Sequence, residues 1–274
     1  MIDPAAHTAE IEAWRAERYA ALQRETGWLT LAGLGWLKPG PNRVGTAADV
    51  DVRLPDGPSH VGTITVTETG ARADGGFLHA GEPTRDLDLV TDAAGEPTQL
   101  EVGALRMCLI ERGGRLAVRT WDLASPAREA FDGIDHWAID RRWRLEARFE
   151  KTPGRTLTVP DVLGFVEEEA SPGDVVFRLD GVEHRLQALP SGPSGEMWLV
   201  FGDVTNGHET YGGGRFLYTD APDGDGRVIV DFNRAYNPPC VFSPFATCPL
   251  PWPSNRLAVR VEAGEQAYGS EMLL

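Results

Sequence analysis

From residue 42 onward the chain consists of short runs in which apolar and polar residues alternate. Such runs extend over 63–67, 105–110 and 116–121, and glycine, proline or aspartate separates them. A period of two residues is typical of a strand with one buried face. No strand–helix–strand alternation is present, which argues against a doubly wound parallel sheet. The pattern therefore predicts a mainly β protein.

Two turns and a helix complete the predicted elements. Asp180-Gly181, within VVFRLDGVEHRLQAL, predicts a hairpin with a type I′ turn, and residues 112–115 predict a second hairpin. Residues 8–26 predict an amphipathic helix that Gly27 ends. Further strands are predicted over 196–202, 214–218, 227–231 and 256–262.

Three regions follow from these elements. Residues 1–40 are predicted to hold the helix and a glycine-broken apolar clamp, WLTLAGLGWLKPG. A β-sandwich is predicted over 41–150, and an antiparallel sandwich or barrel over 151–274. The prediction is thus two β-rich lobes with an N-terminal helix.

Composition narrows the classes of partner. The net charge of −15 excludes non-specific binding to nucleic acid or to an anionic membrane. The first 27 residues are charged and lack the apolar core of a signal peptide, and three cysteines make no disulfide framework. We expect a soluble cytoplasmic protein without a cofactor or a metal, whose oligomeric state the sequence leaves open.

The segment 231–256, DFNRAYNPPCVFSPFATCPLPWPSNR, is the strongest candidate for a functional loop. Its six prolines exclude a helix or a central strand, and rigid loops carrying polar groups are where binding and catalysis concentrate. Cys240 and Cys248 allow several interpretations: buried packing thiols, a disulfide, half of a metal site, or one nucleophilic thiol. No further cysteine or histidine is spaced nearby to complete a metal site.

A second segment, TNGHETYGGGRFLYTD, carries weaker signals. Three successive glycines, 212–214, precede Arg215, but no Lys-Ser/Thr follows, which disfavours a nucleotide loop. His208-Glu209 is not part of a His-Glu-x-x-His motif, so zinc-protease chemistry has no support.

Residues 42–66 resemble the opening of a forkhead-associated domain, a β-sandwich that binds phosphothreonine. The resemblance covers Gly45, the acidic-apolar run 49–54 and Ser59-His60. Thr46 stands where the phosphate-binding arginine of that family would be, and no Asn-Gly-Thr follows. The resemblance therefore implies a similar sandwich without phosphopeptide binding.

The motifs GRFLYTD, DFNRAYNPPC, CPLPWPSNRL and AGEQAYG, in this order, resemble a bacterial and archaeal family, domain of unknown function 1684. The similarity extends from WLTLAGLGWLKPG to Gly264-Glu265. That family has no established activity, so the resemblance implies relatives and leaves the chemistry open.

We expect the polar residues of these motifs to form one pocket in the C-terminal lobe. Guanidinium groups beside amide side chains suit a small carboxylate or phosphate. The predicted ligand-binding residues are Arg215, Asn233, Arg234, Asn237, Cys240, Asn255 and Arg256. Asp231 and Glu265 are the predicted general bases of a hydrolytic reaction.

A second function remains open. Buried networks of Asp, Asn and Arg can fix a proline-rich loop without any ligand. The chain would then be a non-enzymatic interaction module whose signature residues are structural. Whether the protein is an enzyme is not decided by the sequence.

Overall fold

The computed structural model describes residues 3–269, which form two compact units. We call them the N-terminal unit, residues 20–131 and 243–246, and the C-terminal unit, which includes 3–19, 132–242 and 247–269. Helix α1 covers Pro4–Leu22. The predicted mainly β class is confirmed.

The N-terminal unit is built from short strands in two sheets. One sheet has the order β1-β11-β10-β9-β6-β7 and the other has the order β3-β2-β4-β5-β8. The strands are β1 (Leu31–Trp36), β2 (Gly40–Gly45), β3 (Val52–Arg53), β4 (Gly62–Thr67), β5 (Gly70–Gly75), β6 (Leu78–His79), β7 (Glu82–Pro83), β8 (Leu87–Leu89), β9 (Leu100–Val102), β10 (Leu105–Arg112) and β11 (Arg115–Asp122). A 3-10 helix over Trp28–Thr30 and α2 (Pro126–Glu129) complete this unit.

Both sheets of the N-terminal unit contribute to one apolar core. Val44 and Ile64 come from one sheet, and Met107, Leu109 and Val118 come from the other; all are buried. Burying the inner faces of two sheets against each other is the arrangement of a β-sandwich. The finer likeness to a forkhead-associated domain stays a prediction.

The C-terminal unit contains one six-stranded sheet with the order β16-β15-β14-β13-β12-β17, curved into a half-barrel. All its strand pairs are antiparallel. The strands are β12 (Arg144–Pro160), β13 (Val166–Leu179), β14 (Val182–Ser191), β15 (Glu196–Phe201), β16 (Arg215–Thr219) and β17 (Arg227–Asp231). Four 3-10 helices cover Arg141–Trp143, Phe232–Arg234, Pro239–Val241 and Pro253–Asn255.

Aromatic side chains fill the core of the C-terminal unit. Phe232 is fully buried and its ring makes edge contacts with Phe177, Phe201 and Trp143 at centroid distances of 5.6, 5.3 and 6.3 Å. Edge-to-face aromatic pairs add to the free energy gained by burying the rings. These ring contacts therefore fix the position of the 3-10 helix that carries Phe232.

The two predicted hairpins are present. Asp180 and Gly181 both have positive φ, +48° and +81°, as a type I′ turn requires. Gly113 and Gly114, with φ of +56° and +68°, form the turn between β10 and β11. Residue types that tolerate positive φ thus set both turns.

Two predicted elements differ from the structure. The helix begins at Pro4 rather than at residue 8. The helix ends at Leu22 rather than at residue 26, because the chain turns back until Gly27 lies against the carbonyl oxygen of Leu22; a Cβ on Gly27 would lie 2.3 Å from that oxygen. Residues 256–262 form only an isolated bridge and no strand. Carbonyl groups at the end of this segment and just beyond it bind an arginine side chain instead of a neighbouring strand, as described below.

Replacing Phe232 with alanine is expected to lower the free energy of unfolding by about 3–5 kcal/mol, because a large cavity would replace a ring with three aromatic neighbours. The measurement is urea unfolding followed by tryptophan fluorescence. Val182→Ala, at a position that is 58% exposed, is the control and should change this free energy by less than about 0.5 kcal/mol.

Candidate functional site

Two glycines place two of the predicted site residues in the C-terminal unit. Gly214 has φ of +86°, and a Cβ there would lie 2.4 Å from Cγ of Pro251. Gly264 has φ of +77°, and a Cβ there would lie 2.3 Å from the carbonyl oxygen of Ala235. Only glycine fits both the backbone angle and the space. The glycines preceding Arg215 and Glu265 therefore have a steric role.

Arg215 is fully buried and pairs with a buried carboxylate. Its Nη2 donates to Oδ2 of Asp203 at 2.8 Å and to the carbonyl oxygen of Val261 at 2.8 Å. Its Nη1 donates to the carbonyl oxygens of Ala263 and Glu265 at 2.5 and 3.3 Å. Both Nη atoms donate to acceptors of the protein itself, which indicates a structural role for Arg215.

Glu265 is also fully buried, within hydrogen-bonding distance of Arg18 and Asn237. Nε of Arg18 donates to Oε1 of Glu265 at 3.1 Å, and the backbone N–H of Asn237 donates to Oε2 at 2.6 Å. Burial raises the pKa of Glu265, while the charge of Arg18 opposes this shift. The Asn237 side chain donates to the carbonyl oxygen of Gln266 at 2.7 Å.

His136 lies next to this network. Its backbone bridges that of Glu265, and its Nδ1 lies 2.7 Å from the carbonyl oxygen of Ile134. Burial lowers the pKa of His136 to about 4, and the charge of Arg15 acts in the same direction. A buried imidazole beside guanidinium groups is thus kept neutral.

Asp231, at the end of β17, is held by groups from other parts of the chain. Its Oδ2 lies 2.7 Å from Nε2 of the fully buried His7 and 3.7 Å from Nε of Arg144. Its Oδ1 accepts from the backbone and side-chain N–H groups of Asn233 at 3.1 and 2.7 Å. The carboxylate is therefore oriented on both of its oxygens.

Asn233 and Asn255 bind backbone. The Asn233 side chain exchanges two hydrogen bonds, both of 3.0 Å, with the backbone of Asp140. Asn255 does the same with the backbone of Gln187, at 2.8 and 2.9 Å, and donates to the carbonyl oxygen of Val200. An amide side chain can satisfy both groups of a peptide unit, which is why asparagine suits these loops.

A cavity of about 380 Å³ lies beside Asp231 in the C-terminal unit. Asp231 and Arg234 are the predicted site residues in its lining. The other lining residues are Glu10, Trp14, Arg144, Ser191, Gly192, Pro193, Glu196, Tyr218, Thr219, Asp220, Ile229 and Tyr236. Tyr218 stacks on Tyr236 with a centroid distance of 5.8 Å, and the lining thus combines aromatic faces with charged groups.

Arg234 forms an ion pair within this lining. Its guanidinium binds the carboxylate of Glu10, and the two side chains are 29% and 43% exposed. The other predicted residues are outside this lining, although Asn233 binds Asp231. Arg256 is exposed on the strand-free segment, and Cys240 is half-buried with Cys248 as its neighbour. The structure therefore brings Asp231 and Arg234 together and separates them from Arg256.

Several residues of these networks were missed from the sequence. His7 and Arg18 share a face of α1 with the buried Ile11, since spacings of four and eleven residues return to one side of a helix. A polar residue on the apolar face of a predicted helix indicates that this residue is buried and binds a polar partner. Asp203 comes just after β15, and Asp231 is the last residue of β17. This similar position at the end of a strand could have identified Asp203 as a candidate from the sequence.

The described chain has no helix with the length and hydropathy that crossing a membrane takes. It also has no group of three or more His, Cys, Asp or Glu side chains arranged to hold a metal ion.

Replacing Arg215 with methionine is expected to lower the free energy of unfolding by about 3–5 kcal/mol, because Asp203 would remain buried without its partner. Arg256→Met makes the same change at an exposed position and should cost less than about 1 kcal/mol. Urea unfolding of both variants makes the comparison. Equal losses would contradict the structural role of Arg215.

The stability of the protein is expected to fall as the pH drops from about 6.5 toward about 4. Above this window His136 is neutral in both the folded and the unfolded protein. Within it the unfolded chain binds a proton at this residue before the folded protein does, which favours unfolding. Urea unfolding at about pH 7 and about pH 5 should show a smaller loss for His136→Gln than for the wild type. The same loss in both proteins would assign it to other groups.

Comparisons with known proteins place these features in a family. The family described as protein of unknown function (DUF1684) matches residues 129–266, just over half of the chain. None of the proteins with curated descriptions matches this sequence. A solution NMR structure of an uncharacterized protein from the archaeon Haloarcula marismortui is 32% identical over 51% of this chain and 79% of its own, with a TM-score of 0.42. On the family match, the chain belongs to the DUF1684 family.

Proposed function

We propose that the cavity beside Asp231 binds a small carboxylate or phosphate. The observation that carries this proposal is that two guanidinium groups, Arg144 and Arg234, line one cavity together with the oriented carboxylate of Asp231. Guanidinium groups bind carboxylate and phosphate through paired N–H donors. The stacked Tyr218 and Tyr236 add an apolar face for the body of the ligand.

Glu10 supports an anionic ligand at this position. Its carboxylate lies on the guanidinium of Arg234, where the carboxylate of a ligand would bind. Both side chains are partly exposed, and such an ion pair contributes only about 0.2–1 kcal/mol, so a ligand can replace Glu10. Glu196 and Asp220 also line the cavity, which favours a ligand that carries hydroxyl or amino groups beside its anion.

Asp231 is the group that we assign to chemistry if the ligand is a substrate. It lines the cavity and could accept a proton from a water molecule, which would make the reaction a hydrolysis. His7 and Asn233 would act as positioning residues, since both contact the carboxylate from the protein side. Glu265 is fully buried and does not line the cavity. The geometry therefore does not support its predicted role as a general base.

A non-enzymatic function is the second candidate. It is supported by the five signature side chains that bind backbone groups or buried charges rather than line the cavity: Arg215, Asn233, Asn237, Asn255 and Glu265. In that case the family signature would preserve a rigid scaffold, and the surface it supports would bind another protein. Location in the cytoplasm is part of either proposal.

The test is a thermal-shift and calorimetry series with inorganic phosphate, acetate and citrate. The wild-type melting temperature should rise with ligand concentration, because a ligand that binds only the folded state stabilises it. Glu10→Gln should tighten binding about two- to fivefold, because the competing carboxylate is gone. Arg234→Met should abolish binding.

Glu12→Gln provides the matched control, since it makes the same change at an exposed position of the same helix, outside the cavity lining. It should leave affinity as in the wild type. If Glu10→Gln and Glu12→Gln behave alike, or if Arg234→Met binds as the wild type does, the cavity is not the anion site. The second candidate function would then be favoured.

A further inference from the structure

Cys240 and Cys248 form a contact that is independent of the cavity. Cys240 lies in the 3-10 helix Pro239–Val241, and its backbone N–H donates to Sγ of Cys248 at 3.1 Å. Pro238 and Pro239 fix two backbone φ angles directly before Cys240. Cys240 is half-buried and Cys248 is buried. Cys240 is therefore the more exposed of the two cysteines.

Neighbouring groups favour the thiolate form of Cys240. The Cys248 thiol, the Tyr211 hydroxyl and the backbone N–H of Val241 all interact with it. These interactions, that of Cys248 first, lower the pKa of Cys240 although burial opposes them. In the same arrangement burial and the neighbouring Cys240 raise the pKa of Tyr211, so its hydroxyl keeps its proton and acts as a donor.

Cys108 provides the contrast within the same chain. It is buried in β10, and burial raises the pKa of its thiol to about 11. A thiol in this environment is protonated at neutral pH and reacts slowly, because the thiolate is the nucleophile. The three cysteines therefore divide into one inert thiol and one interacting pair.

We propose that Cys240 and Cys248 are a dithiol that hydroperoxides oxidise reversibly to a disulfide, with Cys240 as the residue oxidised first. The geometry supports this assignment, because the half-buried sulfur is stabilised as an anion and the second sulfur lies against its backbone. Intracellular disulfides of this kind are typically transient and redox-sensing.

The reaction has two steps. The Cys240 thiolate attacks one oxygen of hydrogen peroxide, an S–O bond forms, the O–O bond breaks, and hydroxide leaves and is protonated to water. Sulfur is oxidised to sulfenic acid and the peroxide is reduced. Cys248 then loses its proton and attacks that sulfur, the S–S bond forms, the S–O bond breaks, and a second water leaves. A thiol reductant converts the disulfide back into the two thiols.

The experiment treats the full-length protein with hydrogen peroxide and follows it by intact mass and peptide mapping. The wild type and Cys108→Ser should each lose two hydrogen atoms and form a Cys240–Cys248 disulfide that dithiothreitol reduces. Cys248→Ser should instead gain one oxygen on Cys240, which dimedone captures as a sulfenic acid. Cys240→Ser should show neither product.

A second measurement separates this chemistry from simple exposure. Tyr211→Phe keeps the ring but removes the hydroxyl donor, and should slow iodoacetamide alkylation of Cys240 at neutral pH about three- to tenfold. Cys108 should remain unmodified in the folded protein. The proposal is overturned if Cys240→Ser is oxidised at Cys248 as fast as the wild type. It is equally overturned if wild-type Cys240 accumulates oxygen without forming the disulfide.

Discussion

The buried ion pair between Arg215 and Asp203 organises the C-terminal unit. Placing a charged pair inside a protein costs several kcal/mol for each ion unless hydrogen bonds compensate on every side. Here the guanidinium also binds the carbonyl groups of Val261, Ala263 and Glu265, so one side chain replaces the strand that would otherwise pair with this segment. Buried carbonyl groups that have no strand partner thereby receive hydrogen bonds from a side chain.

The segment that Arg215 holds also delivers Glu265 to its place. Glu265 in turn binds Arg18 on α1 and the backbone of Asn237, and Asp231 binds His7, which lies about three turns earlier on the same face of α1. These polar groups come from distant parts of the chain, and each buried carboxylate depends on its partners for hydrogen bonds. Networks of this type give a unique arrangement of loops, because a partly satisfied network would leave buried charge.

Most of the site residues predicted from the sequence take part in these networks, which explains how a conspicuous polar motif can coexist with few residues in the cavity. Asp231 belongs to both, since its carboxylate is fixed by His7 and Asn233 and also lines the cavity with Arg234. The proposed anion site and the proposed dithiol both take residues from the same proline-stiffened segment, 231–256. Rigidity serves both, because each depends on fixed distances between a few groups.

The β class, the type I′ turn at Asp180-Gly181 and the position of Asp231 at the end of a strand could be predicted from the sequence, because these depend on residues that are neighbours along the chain. The sequence could not separate scaffold from cavity residues. Arg18 and Glu265 are 247 positions apart, and His7 and Asp231 are 224 apart. These pairings are visible only in the folded protein, since the stability of a buried charge depends on which distant groups folding brings within hydrogen-bonding distance.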